Sequence, residues 1–266
     1  MQKGRLISIA LVLVFAFSLT QIAFAAPKNF ALKFDAKKDN GEKGTRIIVD
    51  HSEELNLADK LTLEAWIYAT ALDSGGGRMM ITGKADTWMH ALLNDGGAYQ
   101  GAVNAAQWAW EGSGRVSLER WTHVALSFDG RAYLLHVDGK LKDEIEDPGK
   151  INTSLSDVYI GWLPQWNEAF SGLIDEVRIS NIPRYPAANF PRPTTEFEER
   201  DRNTVLLLHL NEGNGGEAKD SSAFEHHGLI DGATWEEVDD APFKALAVEP
   251  GVGKLSTTWG QLKRNY

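Results

Sequence analysis

Cysteine is absent from all 266 residues. No disulfide can hold the fold and no lipid can be attached through a thiol, so an exported form of this chain has to rest on a proper hydrophobic core. Basic charge is scarce as well: 27 Lys and Arg face 37 Asp and Glu, a formal net charge of −10. Such a surface repels phosphate backbones and argues against a nucleic-acid partner. After the first 24 residues no apolar run reaches membrane length. Between Ala26 and Glu237 no helical periodicity of domain size appears. A Gly-x-Ser-x-Gly elbow, a His-Glu-x-x-His pair and EF-hand ligand spacing are also missing.

What is present begins with a basic pentapeptide, Met1-Gln-Lys-Gly-Arg5, and an uncharged run from Leu6 to Phe24. Ala23-Phe24-Ala25 fits the small-x-small cleavage pattern, so residues 1–25 read as a signal peptide and the protein as secreted, periplasmic or cell-surface. A membrane anchor is the competing reading of the apolar run. The cleavage pattern and the missing stop signal favour removal, after which no membrane insertion is expected. Losing Lys3 and Arg5 takes the formal charge from −10 to −12.

The rest alternates with period two. Leu61, Leu63, Ala65, Ile67 and Ala69 fall on one face, Thr62, Glu64, Trp66 and Tyr68 on the other. Thr122, Val124, Leu126 and Phe128 align in the same way. That run ends in Asp129-Gly130, and Tyr133 to Val137 ends in Asp138-Gly139, dipeptides suited to tight hairpin turns. The pattern predicts an all-β chain folded as an antiparallel two-sheet β-sandwich. Asn181–Asn203 carries Pro183, Pro186, Pro191 and Pro193 and reads as a long surface crossing. Alternation is lost after Ala241, leaving 241–266 as a tail with one short amphipathic spacing, Leu255, Trp259 and Leu262.

Five segments in order, Phe30-Ala-Leu-Lys-Phe-Asp35, Leu61-Thr-Leu-Glu-Ala-Trp66, Trp121-Thr-His-Val-Ala125, Val137-Asp-Gly-Lys140 and Gly172-Leu-Ile-Asp-Glu-Val-Arg-Ile179, resemble the LamG-like jelly-roll family. This family lies within the concanavalin A-like lectin/glucanase fold. The resemblance implies a jelly roll of that type over residues 26–240. The segment Leu208-His-Leu-Asn-Glu-Gly213 with His227-Gly-Leu-Ile-Asp-Gly-Ala-Thr-Trp235 also looks like the family, where it commonly opens a module. Here it comes last. It is either a truncated second module or, as the marginal stability of two or three lone strands favours, the completion of the first sandwich by 204–236.

Read as an unbroken strand, Leu173, Asp175, Val177 and Ile179 share one face. A carboxylate in that row needs hydrogen bonds, a cation or a metal. The resemblance implies one structural Ca²⁺, with Asp35 and Asp175 as the matching ligands, and hard oxygen donors suit that ion; backbone amides or an arginine are the alternative. Glu176 and Arg178, on the opposite face, read as a solvated pair. Asp143-Glu-Ile-Glu-Asp147 imitates the paired carboxylates of glucanases of this fold, but Gly149 stands where the second acid belongs, so it reads as a charged turn. His123 reads as hydrogen-bonded within the sandwich.

Nine tryptophans remain after the leader. Trp66 and Trp121 sit in family motifs and read as core. Trp88, Trp108, Trp110, Trp162 and Trp166 lie in less regular stretches. Flat indoles complement pyranose C–H faces, with His90, Asn104 and Gln107 as hydrogen-bonding neighbours; the other reading places these rings in the core or over sheet edges. The chain therefore reads as a non-catalytic module for a glycan or glycoprotein. Adhesion to other extracellular proteins is the alternative, and a glycoside hydrolase or lyase a weaker third.

Overall fold

The computed structural model describes residues 29–36, 44–199 and 201–238; the proposed leader and tail lie outside them. In chain order the strands are β1 (Phe30–Phe34), β2 (Arg46–Val49), β3 (Leu61–Ala69), β4 (Arg78–Lys84), β5 (Trp88–Leu93), β6 (Ala98–Val103), β7 (Glu111–Arg115), β8 (Thr122–Phe128) and β9 (Ala132–Val137). They continue with β10 (Lys140–Glu146), β11 (Val158–Ile160), β12 (Trp162–Leu163), β13 (Glu168–Ala169), β14 (Gly172–Ser180), β15 (Thr204–Leu208), β16 (Glu217–Ala218), β17 (Gly228–Asp231) and β18 (Thr234–Glu237). One sheet runs β10-β9-β8-β3-β14-β1-β18, with β15 also beside β14; the other runs β16-β17-β2-β11-β4-β5-β6-β7. Every paired strand is antiparallel, and β12–β13 form a separate ribbon.

The alternating residues do what their period requires. Leu61, Leu63, Ala65 and Ile67 of β3 and Val124, Leu126 and Phe128 of β8 join one core cluster with Ile47, Ile81, Trp88 and Tyr99 of the opposite sheet. Asp138 and Gly139 both have positive φ, 49° and 72°, as a two-residue hairpin demands. Segment 204–236 belongs to this sandwich: β15 pairs with β14, β17 with β2 and β18 with β1.

Three local readings change. In β14, Asp175 faces Trp66 and Arg178 faces Glu64, so two β14 residues oppose the single Ala65. This bulge, with Glu176 at φ 50°, reverses the alternation. Val177 and Ile179 point into the core, whereas Leu173 joins Trp66, Trp121 and Phe197 on the outer face. Asp175 stands opposite Trp66 on that outer side and does not share the inward row. Second, Glu176 and Arg178 are buried rather than solvated, because the crossing after β14 covers the outer face. Tyr185, Phe190 and Phe197 pack around His123. Backbone bonds from Leu141 to Ala188 and from Phe190 to Gly139 (both 2.8 Å) fasten the crossing to the sheet. Third, Asp143–Glu146 is not a turn but the end of edge strand β10. Lys140, Lys142, Glu144 and Glu146 alternate outward, a pattern that discourages edge-to-edge pairing, while Asp143 accepts the Ser113 amide at 2.7 Å.

Beneath the crossing lies a buried polar network. Glu64 accepts from Arg178 Nε at 2.8 Å and from Tyr185 Oη at 2.6 Å, and its Oε2 lies 3.1 Å from His123 Nε2. Burial alone would raise this carboxyl. The His123 hydrogen bond and the Arg178 charge outweigh burial and bring it down to about 2.

Candidate functional site

The outer face of the second sheet carries a recess of about 350 Å³ lined by Gly76, Arg78, Trp108, Trp110, Trp166 and Glu168. Three loops build it. Trp108 and Trp110 come from the β6–β7 connection, which Asp147 pins: its Oδ1 accepts the amides of Ala106 and Gln107 at 2.8 and 2.7 Å. Trp110 leans on the small apolar cluster of Met80, Met89, Ala91 and Leu163 beneath it. Trp166 closes the short 3-10 turn Pro164–Trp166, which ends at Asn167 with φ 52°. The Asn167 carbonyl accepts the Gly76 amide at 3.0 Å, tying this turn to the loop before β4. Gly76 is required by close approach, because a Cβ there would stand 2.2 Å from the Trp166 carbonyl.

Arg78 organises the floor. Its Nη1 donates to Glu168 Oε1 at 3.2 Å, its Nε donates to Gln100 Oε1 at 3.2 Å, and its guanidinium lies 4.5 Å from the Trp110 ring centroid. Burial raises the Glu168 carboxyl, and Arg78 pulls partly against it. Trp108 and Trp166 remain 38% and 39% exposed, an unusual state for two large indoles beside one recess. The arrangement presents flat apolar faces around one ion pair, which suits stacking with hydrogen bonding at the rim.

The structure brings together Trp108, Trp110 and Trp166 of the residues singled out in the sequence. Trp88 is fully buried in the main core. His90 is also buried, and its Nδ1 lies 2.8 Å from Tyr99 Oη. Trp162 is buried with Arg46 4.6 Å from its ring centroid. Asn104 donates to the Asp86 carbonyl at 2.8 Å, and Gln107 lines a separate small cavity beside Tyr133. Arg78, Glu168 and Gln100 carry no sequence expectation, and Asp147, read as part of a charged turn, instead holds the tryptophan loop; the Gly75-Gly-Gly77 run before Arg78 and the Trp166-Asn-Glu168 sequence were the available signals.

The two aspartates assigned to calcium are not neighbours. Leu32 faces Ile174 and Phe34 faces Gly172, so Asp35 and Asp175 stand about four positions apart along the strands, roughly 13 Å. Asp35 is exposed. Asp175 accepts the Glu176 amide at 3.0 Å, and burial followed by the Glu176 charge raises it well above the usual carboxylate range. Among the described residues, one trio of metal-type side chains converges, Glu176, Glu196 and His209. His209 Nδ1 sits 2.6 Å from Glu176 Oε1, so an imidazole already answers the carboxylate there.

Residues 40–188 match the laminin G-type model of the concanavalin A-like lectin/glucanases superfamily. The chain belongs to that superfamily. A solved structure of a proposed carbohydrate-binding protein from Bacteroides ovatus is similar at 18% identity with a TM-score of 0.64, over 80% of this chain and 61% of that one. This chain thus spans about three fifths of that relative. The LG4–5 domains of mouse laminin α1 are similar at 15% identity over 64% of this chain and 48% of theirs, TM-score 0.44. A heptameric pentraxin from Limulus polyphemus is similar at 14% identity over 60% and 79%, TM-score 0.46. At these identities the likeness is one of fold. No curated protein matches the sequence. Among the described residues no helix is long and apolar enough to cross a membrane.

Proposed function

We propose that this superfamily member is an exported, non-catalytic carbohydrate-binding module whose ligand stacks in the Trp108–Trp110–Trp166 recess. The observation that carries the reading is the convergence of three indoles from two separate loops, two of them substantially exposed, around one floor. Core-filling tryptophans have no need of that placement. The basic pentapeptide and the uncharged run that follows it, read as a leader, support export. The shared fold of the proposed carbohydrate-binding protein from Bacteroides ovatus is compatible with the same role. The recess lining holds a single carboxylate, Glu168, already engaged by Arg78. Glycoside hydrolysis by the usual route requires two carboxyls flanking the scissile bond.

The test is calorimetric titration across an oligosaccharide panel with the native chain and with Trp108→Ala and Trp166→Ala. An indole buries roughly 150–250 Å² in all. Losing the half that meets a ligand, at about 25 cal/mol per Å², removes at most about 2–3 kcal/mol. After ordering costs the expected loss is about tenfold in affinity per variant. Binding indifferent to both substitutions, or release of reducing ends from any panel member, contradicts the reading.

A further inference from the structure

The class of sugar follows from the charge on the floor of the recess. Arg78 is the one cation in its lining and Glu168 the one anion; Gly76, Trp108, Trp110 and Trp166 are uncharged. The guanidinium is committed on three sides, to Glu168, to Gln100 and to the face of Trp110. The Arg78 side chain is 26% exposed and that of Glu168 4%. A sulfate or carboxylate entering the recess would therefore meet a cation whose charge is already balanced by a fixed, buried carboxylate. It would give up its own hydration without gaining an unshared counter-charge. The chain as a whole, at −10, adds a further repulsive field. A hydroxyl has no such penalty. It donates as readily as it accepts, and the sugar ring it belongs to offers apolar C–H faces to the indoles.

We propose that the recess selects uncharged glycans over acidic ones, and that Glu168 is the specificity-determining residue, by neutralising Arg78. The inference rests on the carbohydrate-binding reading above and sharpens it to a ligand class. The opposite arrangement, an arginine free to grip an anion, is one substitution away. Glu168→Gln keeps the size of the side chain and its capacity to accept from Arg78 while releasing the positive charge.

The experiment uses the full chain and matched ligand pairs: lactose with sialyllactose, and a desulfated heparin tetrasaccharide with its sulfated parent. Neutral gluco-, manno- and xylo-oligosaccharides and oligogalacturonates complete the panel. Affinities are measured at fixed ionic strength for the native chain and for Glu168→Gln, and the readout is the ratio of acidic to neutral binding. For the native chain the neutral partner is expected to bind at least tenfold tighter, with an affinity that changes less than twofold between 20 mM and 500 mM NaCl, since no net charge is screened. In Glu168→Gln the acidic-to-neutral ratio is expected to rise at least tenfold. Should that variant not fold, as judged by its melting transition, the salt series and the matched pairs on the native chain decide alone. A native chain that prefers the acidic partner, or a folded Glu168→Gln whose ratio is unchanged, overturns the inference while leaving the binding site in place. No binding to any panel member, neutral or acidic, overturns the carbohydrate reading and this inference with it.

Discussion

Removing the charge of Glu64 is expected to unfold the outer layer of the molecule at an appreciably lower temperature. Glu64 is fully buried between β8 and β14, and its two oxygens are shared among Arg178, Tyr185 and His123, with Arg184 Nε 4.0 Å away. Glu64→Gln retains the shape but leaves the Arg178 guanidinium, itself only 8% exposed, without its carboxylate. Removing one partner of a buried pair costs about 3–5 kcal/mol. A carboxyl moved from the ordinary 4.5 to about 2 in the folded chain corresponds to about 3 kcal/mol of stability at neutral pH. For a domain of this size about 1 kcal/mol shifts the midpoint by roughly 2–4 °C, so a fall of roughly 6–20 °C is expected. The sign with pH is fixed as well. Because the folded carboxyl lies below its unfolded value, its contribution is complete above 4.5 and is lost as pH falls from there toward 2. Melting curves by circular dichroism at pH 7 and at steps down to pH 3 test both points. A Glu64→Gln midpoint within 2 °C of native at pH 7 would refute the reasoning, as would an acid sensitivity identical in the two proteins. Arg178→Met, which keeps an apolar contact with Phe197, should recover part of the loss when combined with Glu64→Gln.

Asp147→Ala should free the Trp108–Trp110 loop: the Ala106 and Gln107 amides lose their shared acceptor. Their hydrogen exchange should accelerate and sugar affinity should drop by about an order of magnitude, with a stability cost of about 1–3 kcal/mol. Gly76→Ala should weaken binding by displacing Trp166, whose carbonyl a new Cβ would strike; a crystal structure of the variant with the turn unmoved refutes this. His209 supplies the third case. Burial lowers its pKa, but the Glu176 hydrogen bond and charge, with Glu196 and Glu199 beyond, carry it above the ordinary value. The stability that protonated His209 contributes is present below about 6.5 and declines as pH rises through the elevated folded value, so native melting should lose on the alkaline side a component that His209→Gln lacks.

The sandwich was legible because β3, β8 and β9 obey a two-residue period, and β8 and β9 end in the Asp-Gly turns Asp129-Gly130 and Asp138-Gly139. Their outer faces were less so. Nothing in Gly172–Ser180 marks a bulge, since Glu176 is an ordinary residue in a left-handed conformation. A strand read without it assigns Leu173 and Asp175 to the wrong side. Glu176 and Arg178 looked solvated because a strand pattern contains no information about what a later segment lays over it. Here that segment contains Tyr185, Phe190 and Phe197. The tryptophans divide along the same line. Trp108, Trp110 and Trp166 sit where alternation fails, and loops are where exposed rings can be held. Trp88 begins a regular strand and takes its inward position. Arg78 and Glu168 are 90 residues apart, and only pairing between loops and sheet puts one beside the other.

The central claim is tested most directly by following the indole Nε1–H resonances of the tryptophans during titration with a bound neutral oligosaccharide. The account predicts saturable shifts for Trp108, Trp110 and Trp166, with Trp66 and Trp88 unmoved. Shifts confined to other tryptophans, with these three silent, would contradict it.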